Sequence, residues 1–453
     1  MQKLIIHRQF MGVKPCTIEL NRFLLLIGEQ ASGKSTIAKL IYFFETLPIV
    51  IYYHTIRAYQ RESKEDKTFL IRAMVGAKFI ETFGTSVITR EAGDNFEIAF
   101  YYGKEVIKIV EHSPNIGTSL SVDFDNDLLE KISQTVNGYF NAVRIDLKID
   151  ESKEREQFLT KLNSLFHNYN SDYTYLIAGR NIFSALPEVF ERAIQQEYER
   201  LAEDVAKKQD FQNQLRLGNE RMIYDFLQWS RDIRNFFKIH GQTFERVAQS
   251  LGNPESVKKI EAIAKSILKG EYVMGSEGEY IRTNEKANSI FLKDASSGQQ
   301  EVLRILQGLF LSVGIKNRKE FFVVEEPEAH LYPLAQKELI NAFALFLNTI
   351  KEGRLIITTH SPYILACVNI LLFAQYVANQ IGGQNGSINH IKREYWLDSS
   401  MFNAYSLGQN EAYCVNIKDA ETGLIDQNYL DTISEQLGLQ HQELYNLLTE
   451  KML

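Results

Sequence analysis

Residues 28–35 read G-x-x-x-x-G-K-S, with Gly28 and Gly33 framing the run and Lys34 and Ser35 closing it. Glycines at those places let successive backbone N–H groups turn inward and form a nest for phosphate oxygens. The nest takes in Gly28, Glu29, Gln30, Ala31, Ser32, Gly33, Lys34, Ser35 and Thr36. A helix starting here adds its positive end to the same task. Lys34 has the reach for β- and γ-phosphates, and the Ser35 hydroxyl suits Mg²⁺. The bland alternative is a glycine-rich turn beside a chance Lys-Ser pair. The apolar run before it and the helical pattern after it argue against that.

Two further clusters have matching chemistry. Glu325 and Glu326 follow the apolar run 321–324 and precede Pro327. Adjacent carboxylates at the end of a buried parallel strand sit where a phosphate-binding sheet does its metal and water chemistry. Glu325 is expected to hold Mg²⁺ through water, and Glu326 to orient or deprotonate the attacking water. Glu328 and His330 follow in a loop beside the same place. His360 follows a second stretch that reads as a buried strand, 355–359, where a neutral imidazole can donate to a γ-phosphate or to water. Lys34, Glu326 and His360 are therefore the catalytic candidates. In the segment 294–314, Ser297 and Gln300 have capping-box spacing, which predicts a helix from Gly298. A bare Gly298 there leaves room for a phosphate to approach the exposed N–H groups.

These residues need a scaffold, and the pattern around them supplies one. The run 23–27 reads as a strand buried on both faces, followed by a helix that is expected to stop near Pro48. The first 27 residues suggest short strands, with turns at Gly12 and at Asn21-Arg22. Residues 79–110 carry β signals with turns at 91–95 and at Gly103-Lys104, pointing to an antiparallel sheet. The polar stretch 57–67 reads as a solvated helix or loop. The period turns helical over 127–168, a short strand is expected at 174–179, and 188–270 reads as a charged helical arm or lid. Short strands return at 271–293. A helix over 332–350 between the runs 321–324 and 355–359 makes a βαβ unit. Beyond about 371 come weak strands near Tyr405 and Tyr413, then two amphipathic helices.

Bulk properties narrow the class. At 453 residues, 45% hydrophobic and 24% charged, the chain has the composition of a globular protein larger than one ordinary domain. Its net charge of −7 argues against coating nucleic acid by overall attraction, though a local basic groove is compatible with it. Cys16, Cys367 and Cys414 are scattered without metal or redox spacing, as idle thiols in a reducing compartment would be. No stretch reads as a membrane span and no secretory leader is evident, so a cytoplasmic protein with no membrane partner is expected.

Glycine nest, serine-glycine-glutamine segment, acidic strand end and terminal His occur in the order found in ABC-type ATPase heads. The wording EEPEAHLYP (325–333) with TTHSPY (358–363) resembles the branch containing the OLD ATPases. That branch is related to RecF and SMC heads and includes ATPase subunits of bacterial anti-phage systems such as PARIS and Septu. The resemblance covers about 1–45 and 290–365, with a weaker echo in TYLIAGR (174–180). It implies an α/β P-loop head with a mostly parallel core sheet, an antiparallel β lobe and a helical insertion. The expected division is head over 1–187, arm over 188–270, head again over 271–370, and an appendage over 371–453. It also implies ATP and Mg²⁺ as cofactors and a site shared between protomers of a homo-oligomer. Ser296, Ser297, Gly298 and Gln299 would then serve the γ-phosphate held by a neighbouring copy.

The chain departs from that pattern in three places. Glu325 stands where an Asp is usual, and no glutamine stands out as the coupling residue, Gln60 being a weak candidate. The tail shows none of the acidic motifs of a Toprim nuclease, so a nuclease of Toprim or HNH type is expected as a separate chain. The leading expectation is the sensor or scaffold ATPase of an anti-phage system that controls such an effector. The alternative is a RecF- or SMC-like ATPase that clamps DNA, and nucleic-acid binding is compatible with the sequence without being required by it. A transporter subunit fits poorly.

Overall fold

The computed structural model describes residues 2–60, 67–84, 95–112, 119–145, 151–167, 172–185, 218–283, 289–380, 390–408 and 412–426, with single positions at 87, 190, 192 and 442. Alternating apolar residues make the first strands: β1 (Gln2–Arg8), β2 (Cys16–Glu19) and then β3 (Phe23–Gly28), whose first four residues are all buried. β4 (Glu97–Tyr102), β5 (Glu105–His112) and β6 (Ser119–Phe124) follow, and an antiparallel sheet forms in the order β2-β1-β4-β5-β6. Gly103, at φ +79°, makes the expected tight turn between β4 and β5. The turn expected at 91–95 lies outside the described residues except for Asn95, as does most of 57–67 beyond Gln60.

The second sheet carries the chemistry. β7 (Asp172–Leu176) comes first in the chain. A small antiparallel sheet intervenes, made of β8 (Glu271–Met274), β9 (Glu279–Arg282) and β10 (Ser289–Phe291). Then come β11 (Glu320–Glu325), β12 (Arg354–Thr359), β13 (Phe402–Leu407) and β14 (Cys414–Asn416), and the six-stranded order is β14-β13-β3-β12-β11-β7. All pairings among β13, β3, β12, β11 and β7 are parallel; only β14 is antiparallel. Register aligns Ile27 with Thr359, Thr358 with Glu325, and Val324 with Leu176, so the chemistry-bearing ends lie along one edge. Every residue of β11 and β13 is buried, as expected of strands covered on both faces. Thus β13 and β14, drawn from the stretch expected to be an appendage, belong to the central sheet. The two helices expected near the end of the chain lie outside the described residues.

The helix after the glycine nest does not stop at Pro48; it runs Lys34–Gln60. Proline removes the N–H that would bond the carbonyl four residues back, that of Phe44. The buried Tyr102 hydroxyl donates to Phe44 O at 2.7 Å instead. Phe43, Phe44, Leu47 and Ile51, buried on either side of the proline, keep the helix continuous. The β signal at its near end, 79–83, also fails, because Lys67–Phe83 is a helix. Ile71, Val75, Phe79 and Phe83 repeat every four residues on its buried face. Phe79 and Phe83 join Phe10 and Phe96 in an aromatic cluster, with ring centroids 4.7–5.8 Å apart.

Helices Asn126–Ile145 and Glu151–Leu165 match the helical period of 127–168. Part of the expected arm, 188–189, 191 and 193–217, lies outside the described residues. What is described of it, Gly218–His240, Phe244–Ala248 and Pro254–Leu268, does not stand apart. Val257, Ile260, Ala264 and Leu268 are buried where Pro254–Leu268 packs against helices Ser297–Gly314 and Pro333–Thr349. The last of these is the expected crossover between β11 and β12. Arg22 closes its end by donating to Leu347 O at 2.8 Å and Ile350 O at 2.9 Å.

Among the described residues, two helices do reach the length and apolarity of a membrane span, against expectation: Lys34–Ile56 and Pro362–Gln380. The first packs on β3, β11 and β12, and the second against helix Pro333–Thr349. The first is buried in the core. The second buries Ile364, Leu365, Val368, Leu371 and Leu372 and exposes Tyr363, Ile370 and Phe373.

Candidate active site

The loop 28–33 connects β3 to its helix with Gly33 at φ +90° and Ala31 at φ +59°. Gly33 is bare for a second reason: a Cβ there would lie 2.6 Å from the Tyr413 hydroxyl and 2.7 Å from Val13. A Cβ on Gly28 would lie 2.3 Å from Leu407 O. Tyr413 also donates to Ser32 O at 2.6 Å. The segment joining β13 to β14 therefore braces the phosphate loop from beneath. No local pattern in the sequence links Leu407 and Tyr413 to 28–33.

Lys34 is buried and folded back into its loop, with Nζ donating to Gly28 O at 2.9 Å and Glu29 O at 2.7 Å. Burial pulls its pKa down, while the Glu326 and Glu328 carboxylates oppose that. Its Nζ also stands 3.4 Å from His360 Nδ1, and His360 Nε2 stands 3.0 Å from Glu326 Oε1. A lysine ammonium can only donate. Nδ1 is therefore the acceptor, and Nε2 carries the proton that it donates to Glu326. The three catalytic candidates form one chain, made possible because β12 lies between β3 and β11.

Glu326 follows β11 with φ +42°, a conformation that strains any non-glycine residue. Glu328 Oε1 accepts from the Thr359 hydroxyl at 2.6 Å and from the His360 N–H at 2.7 Å. Glu328 thus fixes the loop that carries His360, a role its place two residues after Glu326 did not disclose. Its other oxygen is buried and makes no hydrogen bond. Glu325 is buried, accepting from the Tyr175 hydroxyl at 2.7 Å and from the Ala178 N–H at 3.1 Å. Burial and the neighbouring Glu325 push the Tyr175 pKa well up, so the phenol stays a donor. Each Glu325 oxygen keeps a lone pair. With the half-buried Ser35 hydroxyl it offers the hard oxygen donors that Mg²⁺ prefers.

The serine-glycine segment is shifted by one residue from expectation. The helix is Ser297–Gly314 and its cap is Ser296, not Ser297. Ser296 Oγ accepts from the Gln299 N–H, and Gln299 Oε1 accepts from the Ser296 N–H at 3.0 Å. Two overlapping S-x-x-Q registers exist, and the second is taken out of play because buried Gln300 donates to Leu292 O and Lys293 O. Gly298 is not open space either. A Cβ there would lie 2.5 Å from His330 O, so its bareness serves packing within this chain. Gln299 is engaged internally as well, donating to Leu268 O at 2.7 Å. Ser296 and Ser297 are exposed. The helix itself is pinned by Arg304, which donates to both oxygens of buried Glu279 at 2.7 and 2.5 Å.

Two more relations were hidden in the sequence. Gln60, the weak coupling candidate, ends a 27-residue helix, roughly 40 Å from the loop by helix rise, too far to serve the site. Cys16 and Cys414, remote in sequence, share a hydrogen bond that lowers the Cys16 pKa and raises that of Cys414.

Glycine nest, acidic strand end and intervening histidine strand, with an antiparallel lobe beside them, define a P-loop ATPase head. The chain belongs to the AAA ATPase domain family, which it matches over residues 3–365. Among solved structures it is similar to the SmcHead bound to the C-winged helix domain of ScpA, at 12% identity over 92% of this chain and 96% of that one, with a TM-score of 0.38. It is also similar to the SMC head domain from Thermotoga maritima, at 10% identity over 92% and 98%, with a TM-score of 0.32. A search of the curated proteins found no match.

Proposed function

We propose that this chain binds ATP in the 28–36 loop and hydrolyses it slowly, using Glu326 as the base for the attacking water. The observation that carries this reading is the chain Lys34–His360–Glu326, with separations of 3.4 and 3.0 Å, at the carboxyl ends of adjacent strands. In it, Lys34 leaves its carbonyl partners to bind phosphate oxygens. His360 holds Glu326 in place until water arrives, and Glu326 takes the proton. Ser35 and Glu325 would hold Mg²⁺, whose chemistry is to neutralise charge on the phosphates. The exposed Ser296 and Ser297, at the positive end of an 18-residue helix, suit a nucleotide held by a second copy.

The test is Glu326→Gln. It should bind ATP as the wild type does, turn over about 10²–10⁴-fold more slowly, and accumulate an ATP-dependent dimer by light scattering. Near-normal turnover, or ATP-loaded protein that stays monomeric, would overturn the reading.

Within it, the EEPEAHLYP and TTHSPY wording supports a place as the sensor or scaffold ATPase of an anti-phage system with a separate effector nuclease. Affinity purification from the native host with and without ATP tests this; recovery of a DNA repair assembly in place of a nuclease would replace it.

A further inference from the structure

Arg180 lies at the far end of the same site and is fully buried. Its Nε stands 3.2 Å from Glu301 Oε2 and donates to Glu301 O at 3.4 Å. Its Nη1 donates to Ile177 O at 2.5 Å and to Glu325 O at 2.6 Å, and Nη2 donates to Glu326 O at 3.2 Å. One rigid guanidinium therefore touches the loop after β7, the last residue of β11, the strained Glu326, and the first turns of helix Ser297–Gly314.

We propose that Arg180 is a positioning residue that couples movement of helix Ser297–Gly314 to the placement of the Glu326 carboxylate. This rests on the reading of Glu326 as the base and of that helix as the part that meets a second copy's nucleotide. The bonds around Arg180 are unequal, and the inequality gives the coupling its direction. Separating a buried guanidinium from its carboxylate is costly, so Arg180 travels with Glu301 and hence with the helix. The bond to Glu326 O, at 3.2 Å, is longer than those to Ile177 O and Glu325 O and yields first. A shift of the helix therefore loosens or tightens the hold on Glu326 O. That residue sits at φ +42° only because its surroundings hold it there. The Arg180 bonds named above run to residues 177, 301, 325 and 326 and not to 28–36, so nucleotide affinity should be separable from turnover.

The experiment is Glu301→Gln, assayed for affinity with a fluorescent ATP analogue, for turnover across protein concentration, and for unfolding by circular dichroism. Wild-type turnover per chain should rise with concentration as dimers form. The variant should keep its affinity within about twofold, still dimerise, and lose about tenfold or more in turnover together with that rise. Should it fold poorly, the charge-free pair Arg180→Met with Glu301→Met replaces it, since a buried ion pair exchanged for apolar side chains commonly keeps stability. Retention of concentration-stimulated turnover in whichever variant is folded overturns the proposal. So does a parallel fall in affinity and turnover, the mark of a mere brace. Failure of the underlying reading looks different: wild-type protein would then bind ATP no better than Lys34→Ala.

Discussion

Lys34 donates to two carbonyls of its own loop, and those bonds must be exchanged for phosphate oxygens when ATP arrives. The exchange is favourable because burial disfavours the ammonium's charge and the Glu326 and Glu328 carboxylates offset that only in part. Lys34→Ala should thus raise the Kd for ATP about 100-fold or more, by calorimetry, with the fold intact by circular dichroism. The residues facing that exchange were legible because six of them are consecutive, 28–33, and the geometry that matters is local. Glu326 and His360 were legible too, since each ends an apolar run whose strand character could be read. Tyr413 and Arg180 were not. A tyrosine in a tail and an arginine after a short strand look like hundreds of others, and only the tertiary fold decides what lies within 3 Å of them.

At the scale of elements, local rules failed where a distant group took over a local duty. A proline in the middle of a helix predicts a stop, and Pro48 is overruled because Tyr102 supplies the donor that Phe44 O would otherwise lack. Tyr102→Phe should therefore destabilise the protein by about 1–3 kcal/mol, as a buried carbonyl left unpaired does. Chemical unfolding would measure it, and no change would mean that water or a bend in the helix satisfies Phe44 instead. The capping error at Ser296 has a different origin. Two registers satisfied the same rule, and burial of the Gln300 amide, which no periodicity announces, chose between them. Glu279 shows how such burial is sustained. Desolvation works against its charge, yet the paired Arg304 holds its pKa below the usual carboxylate value. A group depressed in this way stabilises the fold above its unfolded pKa and ceases to do so as pH falls through the folded one. Wild-type stability should accordingly drop below about pH 4, and Glu279→Gln should flatten that part of a pH series of unfolding midpoints.

The whole molecule was read as a head with an arm and an appendage, and its described parts are more continuous than that. The helix Pro254–Leu268 packs against the helix whose cap faces outward, and β13 completes the sheet beside β3. Composition could not reveal this: charged helix faces look alike whether the opposite face meets a core or a partner, and strand order is set by non-local pairing. A chain ended at residue 380 would lose β13 and β14 and leave an edge of β3 bare. It should lose ATP binding and aggregate, as seen by calorimetry and sedimentation, although every P-loop residue is present.

The pairing of β13 with β3 also sets a timetable for the newborn protein. β3 leaves the ribosome early, and the strand that flanks it there is encoded some 380 codons later, a wait of roughly 20–80 s at ordinary elongation rates. Throughout that interval the cradle lacks its floor. A nascent chain should not capture nucleotide, and whatever the bound state licenses should stay off, until β13 has emerged.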